Sequence, residues 1–253
     1  MSALPLSISS RSRSPGAFVW YELTTTDAEA ATRFYQAVLG WGARDVGLPD
    51  MRYVLLTAGD TMVGGMMELP QDRDCVIAAP PGWIGYVAVD DIDTMIGRID
   101  GSGGTVHRPA IDIPDIGRFA IVGDPQGAVF ALFQGMSSPP PGPTGWHELH
   151  TLDPEGAFPF YASLFGWTKT DGTGQFFTTG GNAADGILRR IDPPALPFWL
   201  HHFDVSDSDA AVETIRNAGG RILHGPRQIP DGRWIVQGQD PQDIPFAVVS
   251  PLG

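Results

Sequence analysis

The chain has 253 residues, 42% hydrophobic and 18% charged, with a formal net charge of −13. That acidic balance argues against nucleic-acid backbones and anionic membranes as partners, since both reward clustered Lys and Arg. No apolar run is long enough to span a bilayer, and the composition is that of a soluble globular protein. The single cysteine, Cys75, cannot form an internal disulfide and fits a reducing cytoplasm. Residues 1–15 are Ser/Arg-rich with a brief apolar stretch at 4–8. They lack the length and cleavage pattern of a signal peptide and are expected to form a disordered tail.

In chain order, aromatic and branched residues at 19–24 predict a half-buried strand. Asp27 is a suitable N-cap for a helix over 28–39, whose Ala31, Phe34 and Val38 make one apolar face and which Gly40 stops. Strands are predicted at about 51–57, 61–68 and 84–89. A helix carrying Thr94, Ile96 and Ile99 follows and ends at a Gly-Gly. Two strands joined by an Asp-Pro turn then close the segment, the last running over 128–133. The run Met136-Ser137-Ser138-Pro139-Pro140-Pro141-Gly142-Pro143 reads as a stiff linker over 136–144.

The same order then returns. The opening Trp20-Tyr21-Glu22-Leu23-Thr24-Thr25-Thr26-Asp27, with Phe34-Tyr35 and Gly40-Trp41, reappears as Trp146-His147-Glu148-Leu149-His150-Thr151-Leu152-Asp153, with Phe160-Tyr161 and Gly166-Trp167. Without gaps, 18–41 and 144–167 agree at eleven of twenty-four positions. Further on, Gly123-Asp124-Pro125-Gln126 answers Gly238-Gln239-Asp240-Pro241-Gln242, and Ile113-Pro114-Asp115 answers Ile229-Pro230-Asp231. A unit of this length can bury a core, so it reads as a duplicated domain rather than a solenoid repeat. Domains are placed at 16–135 and 145–253. Each is βαβββ written twice, an α+β architecture with helices to one side of the strands.

These motifs resemble the vicinal oxygen chelate superfamily, which includes glyoxalase I, the bleomycin-resistance proteins and the extradiol dioxygenases. The likeness rests on the strand, capping Asp and helix ending Phe-Tyr-x-x-x-Leu-Gly-Trp in the first copy, with its counterpart in the second, and on the Asp-Pro hairpin near each end. It covers nearly the whole chain after residue 16 and implies two modules per domain folded into a cupped sheet around a cleft. Enzymes of the family usually hold a divalent metal with His or Gln and Glu, one ligand on each of four strands. Carried onto this chain, those positions fall on Trp20, Glu68, Tyr86 and Ala131 in one domain, and on Trp146, Arg189, His202 and Ala247 in the other. Tryptophan and alanine offer a cation nothing, so neither set reaches the three ligands a catalytic zinc needs. No metal and no other cofactor is expected.

Strand alternation assigns neighbours to the same face. One cleft is expected to carry Trp20, Glu22, Thr24, Met66, Glu68, Ile84, Tyr86 and Ala88. The other should carry Trp146, Glu148, His150, Arg189, Leu200, His202 and Asp204. Two readings follow. Trp20 and Trp146 could stack on a flat hydrophobic or aromatic small molecule, with Glu22, Glu68, Tyr86 and Arg189 as polar partners and Trp83, Trp199, Trp234 and Phe119 as further walls. Alternatively, the second cleft could perform metal-free acid–base catalysis, with His202 exchanging the proton, Asp204 orienting it, and Glu148 or His150 as the complementary group.

Simpler roles compete with these. Trp20 and Trp146 could be core, and Glu22 and Glu148 could hydrogen-bond the backbone. His147 should point away from the cleft, and His201 and His202, being adjacent, should face opposite ways. His107 and His224 follow the Gly-Gly turns in matching places and read as strand features. The Asp-Pro hairpins and Gly-Gly stops read as turn chemistry alone. Gly101-Ser102-Gly103-Gly104 closes a helix, so it is a poor phosphate cradle.

The sequence thus points to a binder of a natural product or its precursor, with or without a metal-independent lyase, isomerase or hydroxylase-like step. The alternatives are a metalloenzyme of glyoxalase or dioxygenase type, with ligands displaced to His150, Glu148, His202 or Glu68, and a scaffold for a protein partner. Monomer or homodimer is expected, because two fused domains already supply the pairing that single-domain relatives gain by dimerising.

Overall fold

A computed structural model describes residues 15–48, 51–69, 81–135, 144–170, 175–179, 185–229 and 232–251. Cys75, residues 1–14 of the tail, the linker residues 136–143 and Pro230-Asp231 lie outside the described residues. The first repeat runs β1 (Phe18–Thr25), α1 (Ala28–Leu39), β2 (Gly42–Asp45), β3 (Tyr53–Ala58), β4 (Thr61–Glu68), β5 (Gly82–Ala88), α2 (Ile92–Gly101), β6 (Thr105–Ile113), β7 (Gly117–Gly123) and β8 (Val129–Gly135). The second runs β9 (Thr144–Thr151), α3 (Pro154–Phe165), β10 (Thr168–Lys169), β11 (Phe176–Thr178), β12 (Gly186–Arg190), β13 (Phe198–Asp204), α4 (Ser208–Asn217), β14 (Arg221–Gln228), β15 (Trp234–Gln239) and β16 (Pro245–Ser250).

Each repeat builds one eight-stranded sheet, ordered β2-β3-β4-β1-β5-β8-β7-β6 and β10-β11-β12-β9-β13-β16-β15-β14. Within a module the first strand runs parallel to the last, β1 with β4 and β5 with β8, and the two modules join antiparallel through β1 and β5. This is the expected α+β pair of βαβββ modules, written twice. Asp27 caps α1 by accepting from the Ala30 N–H at 2.9 Å. Gly40 ends the helix in the left-handed region at φ 67°, which glycine enters without steric cost. Asp153 takes the N-cap position of α3 without a side-chain cap bond, and Pro154 supplies the pre-set first turn. The short strands β2 and β10, directly after the glycine stops, are additions to the sequence reading.

The helix-side faces of the two sheets meet in one continuous apolar cluster that draws on both repeats. Trp41 and Trp83 pack on Phe203 with ring centroids 5.0 and 4.8 Å away, and Phe34 lies 5.4 Å from Phe246. Helix α1 packs on α4, and α2 on α3. Trp83 and Trp199, expected as cleft walls, belong instead to this core, where their indole N–H groups donate to Tyr35 and Tyr161. The two cups occupy the opposite faces of the sheets.

The Asp-Pro hairpins do more than turn. Buried Asp240, after β15, accepts from Tyr35 on α1 of the other repeat at 3.2 Å, and buried Asp124, after β7, accepts from Tyr161 on α3 at 2.9 Å. Gln242 Oε1 accepts from the Thr26 and Asp27 N–H groups and the Thr25 hydroxyl, while its amide donates to the Asp27 carbonyl. Gln126 does the same for Thr151 and Asp153. Each hairpin therefore seals the start of the other repeat's first helix. Among the described residues no helix is long and apolar enough to cross a membrane.

Candidate functional site

The β1–β4 register settles which residues enter the first cup. Leu23, fully buried in the core, pairs with Met66, and Thr25 pairs with Glu68, whereas Glu22 pairs with Gly65 and Thr24 with Met67. Met66 and Glu68 are therefore on the helix face, one residue out of step with the expectation. Glu68 Oε2 accepts from the Ala28 N–H at 3.4 Å, at the start of α1, and lies 3.6 Å from Arg52. The residue matching Arg189, which pairs with His150, is Met67.

In the first cup Trp20 pairs with Tyr86, and Tyr86 with Ala131. The Tyr53 hydroxyl donates to Glu22 Oε2 at 2.9 Å and the Tyr86 hydroxyl to Oε1 at 3.2 Å. The Trp20 side chain also acts on the Tyr53 hydroxyl. Phe119 stands 6.1 Å from Tyr86, with the Arg108 guanidinium 5.6 Å over its ring. Burial raises the Glu22 carboxyl above its ordinary range, offset in part by the two phenols and by Arg108. Burial and the Glu22 charge in turn raise both phenols, so they stay protonated and donate.

The second cup has the same frame and different chemistry. Trp146 pairs with His202, and His202 with Ala247. Glu148, 0% exposed, stands 3.2 Å from His150 Nε2, 3.5 Å from Arg189 and 3.5 Å from His202 Nε2. The Gln237 amide donates to it at 2.8 Å. Burial opposes ionisation here, yet the two imidazoles and Arg189 outweigh it and hold the carboxyl well below the usual range. His150, with 17% of its side chain exposed, stacks on Phe198 at 4.4 Å. Arg189 is 30% exposed. Phe176 and Arg233 flank the Trp146 ring.

His202 is 0% exposed, and its 3.5 Å approach to Glu148 falls short of hydrogen-bond alignment. Asp204 lies exposed at the end of β13 and makes no hydrogen bond to His202. The expected orienting contact is absent, and the carboxylate that faces His202 is Glu148 on β9, at 3.5 Å. His201 does face the other way, into the interface between repeats. There it packs against Tyr21, Phe18 and His147, and Tyr21 hydrogen-bonds His147 at 2.8 Å. His107 and His224 lie on β6 and β14.

The donors do not fit the family's metal. With the register corrected, the four positions hold Trp20, Met67, Tyr86 and Ala131, and Trp146, Arg189, His202 and Ala247. The phenol of Tyr86 is tied to Glu22, and only His202 is a good ligand. In the displaced set, His150 and His202 approach different oxygens of Glu148. Among the described residues no group of three His, Cys, Asp or Glu is placed to hold an ion.

Two cupped sheets of paired βαβββ modules define the class, and the chain belongs to the glyoxalase/bleomycin resistance protein/dioxygenase superfamily, whose model matches residues 17–132 and 144–248. Among relatives, the chain is 34% identical to the Mycobacterium tuberculosis protein named "Putative glyoxylase CFP32", covering 92% of this chain and 94% of that one. It is 28% identical to the anthracycline biosynthesis protein DnrV of Streptomyces peucetius, over 93% of each chain. The fold matches the Mn(II)-bound glyoxalase of Novosphingobium aromaticivorans at TM-score 0.63 and 16% identity, over 93% of this chain and 81% of that one. It matches an extradiol ring-cleaving dioxygenase from B. fuscum at TM-score 0.65 and 16% identity, over 94% of this chain and 72% of that one.

Proposed function

We propose that the protein binds a flat hydrophobic or aromatic small molecule, a natural product or its precursor, and moves a proton on it in the second cup without a metal. The carrying observation is the Glu148–His150 pair beside Arg189 in an aromatic-walled cup. Ionised Glu148 engages Nε2 of His150 and stabilises the imidazolium, which leaves Nδ1 to exchange a proton with the ligand. Arg189 would hold the oxygen on which negative charge develops as a C–H acid loses its proton. His202, fully buried against Glu148, is a positioning residue in this scheme. The proton leaves carbon for His150 and returns to a neighbouring atom or follows a departing group, which is isomerase or lyase chemistry. The relatives named for anthracycline biosynthesis support an aromatic ligand.

The test uses α-tetralone, a flat aromatic ketone with an acidic C–H. In D2O the protein should catalyse exchange of the hydrogens on the carbon next to the carbonyl, followed by NMR. His150→Ala should slow exchange by about 100-fold or more while tetralone still quenches tryptophan fluorescence with unchanged affinity. Undiminished exchange in that variant would overturn the assignment.

A further inference from the structure

Glu22 and Glu148 hold equivalent positions, yet only Glu148 has an arginine and two histidines within 4.0 Å. Among the described residues no Lys, Arg or His nitrogen comes within 4.0 Å of Glu22; its two hydrogen bonds come from neutral phenols. Glu22 is only partly exposed, and a carboxylate drawn partly out of water without a close counter-charge is costly. The cup nevertheless has a backbone shaped for this arrangement. A Cβ at Gly65 would meet the Tyr53 hydroxyl at 2.1 Å, so glycine there is what lets that ring reach across to Glu22. The second repeat has Ile187 at the matching position, paired with Glu148. Trp20, Tyr53 and Phe119 are each partly exposed. The nearby positive group, exposed Arg108, is set over Phe119 at the rim and acts on Glu22 only at longer range.

We propose that the first cup is a binding site for an organic cation, a protonated or quaternary amine, seated between the Glu22 carboxylate and the rings of Trp20, Tyr53, Tyr86 and Phe119. Aromatic faces carry partial negative charge and attract ammonium groups, most strongly where water is excluded. The carboxylate adds the full opposite charge, and the phenols keep it aimed. Arg108 occupies the rim of the same box as an internal competitor. The inference stands apart from the second cup, because none of its residues belongs to the Glu148 cluster.

Calorimetric titration of the full chain with benzyltrimethylammonium and with neopentylbenzene, its neutral isostere, tests this. The cation should bind and the isostere should bind at least about tenfold more weakly. Glu22→Gln, which keeps one carbonyl oxygen for one phenol and turns an amide N–H toward the oxygen of the other, should weaken the cation at least about tenfold, and Arg108→Gln, a surface change, should tighten it. Equal affinity for cation and isostere would overturn the proposal. So would an unchanged affinity in Glu22→Gln, or no cation binding by either the wild type or Arg108→Gln. Tetralone exchange in Glu22→Gln reports on the second cup separately, so the two readings can fail independently.

Discussion

Glu22 and Glu148 show how one residue type is set to opposite electrostatic tasks by its neighbours. The folded Glu148 carboxyl titrates well below its unfolded value of about 4.3. Its contribution to stability is therefore complete above that value and is lost as pH falls through the acid range. Glu148→Gln removes the buried charge that faces Arg189 and the two imidazoles, so denaturant unfolding at pH 7 should show a loss of about 3 kcal/mol. The gap from wild type should shrink as the acid range is entered, and a gap that stays constant would contradict the linkage. His201 adds a second slope. Burial, with His147 and His202 nearby, holds it well below its ordinary value, and neither ring nitrogen has a hydrogen-bond partner among the described residues. The unfolded chain takes up that proton as pH drops below about 6.5, so stability conferred above that point fades below it. His201→Leu should flatten this limb of the stability–pH curve.

At the level of elements, the Asp-Pro hairpins are reciprocal clasps on α1 and α3. Gln242 alone accepts from four donors at the α1 entry and returns one bond to the Asp27 carbonyl. Gln242→Ala and Gln126→Ala should each cost about 1–2 kcal/mol. The two clasps share no residue, so the double variant should lose close to the sum. Marked non-additivity in thermal or denaturant unfolding would show that the clasps act as one unit. Tyr35→Phe removes a hydrogen bond from Asp240, whose carboxyl burial already raises, and should cost about 1–3 kcal/mol by the same measurement.

For the whole molecule, the decisive feature is that the helix faces of the two repeats form one core. Trp41, Trp83 and Phe34 of the first repeat pack on Phe203 and Phe246 of the second. A chain ending at residue 135 would expose that aromatic face to water. Expressed alone, residues 15–135 should unfold or self-associate, as read by sedimentation and near-ultraviolet circular dichroism. A stable folded monomer would show that each repeat closes its own core. The same arrangement places the two cups on opposite faces, where the two ligand sites proposed above would operate independently.

The sequence by itself determined the duplication, the paired βαβββ modules and the helix stops, because glycine, capping and hydrophobic period act through near neighbours in the chain. It also picked out Trp20, Glu22, Tyr86, Glu148, His150, Arg189 and His202, since strand alternation and the internal repeat both mark them. It misplaced Glu68 because alternation has no memory of register, and one residue of slip sends a side chain to the other face. It missed Tyr53, Gln237 and Arg108, which come from strands distant in sequence, and on β6 the alternation is broken beside Arg108 by register shifts. Only the tertiary structure decided that His150 rather than His202 opens to the second cup, and that Asp124 and Asp240 lock the repeats together. Burial and counter-charge belong to neighbours brought together across strands and repeats, and no local pattern in the chain encodes them.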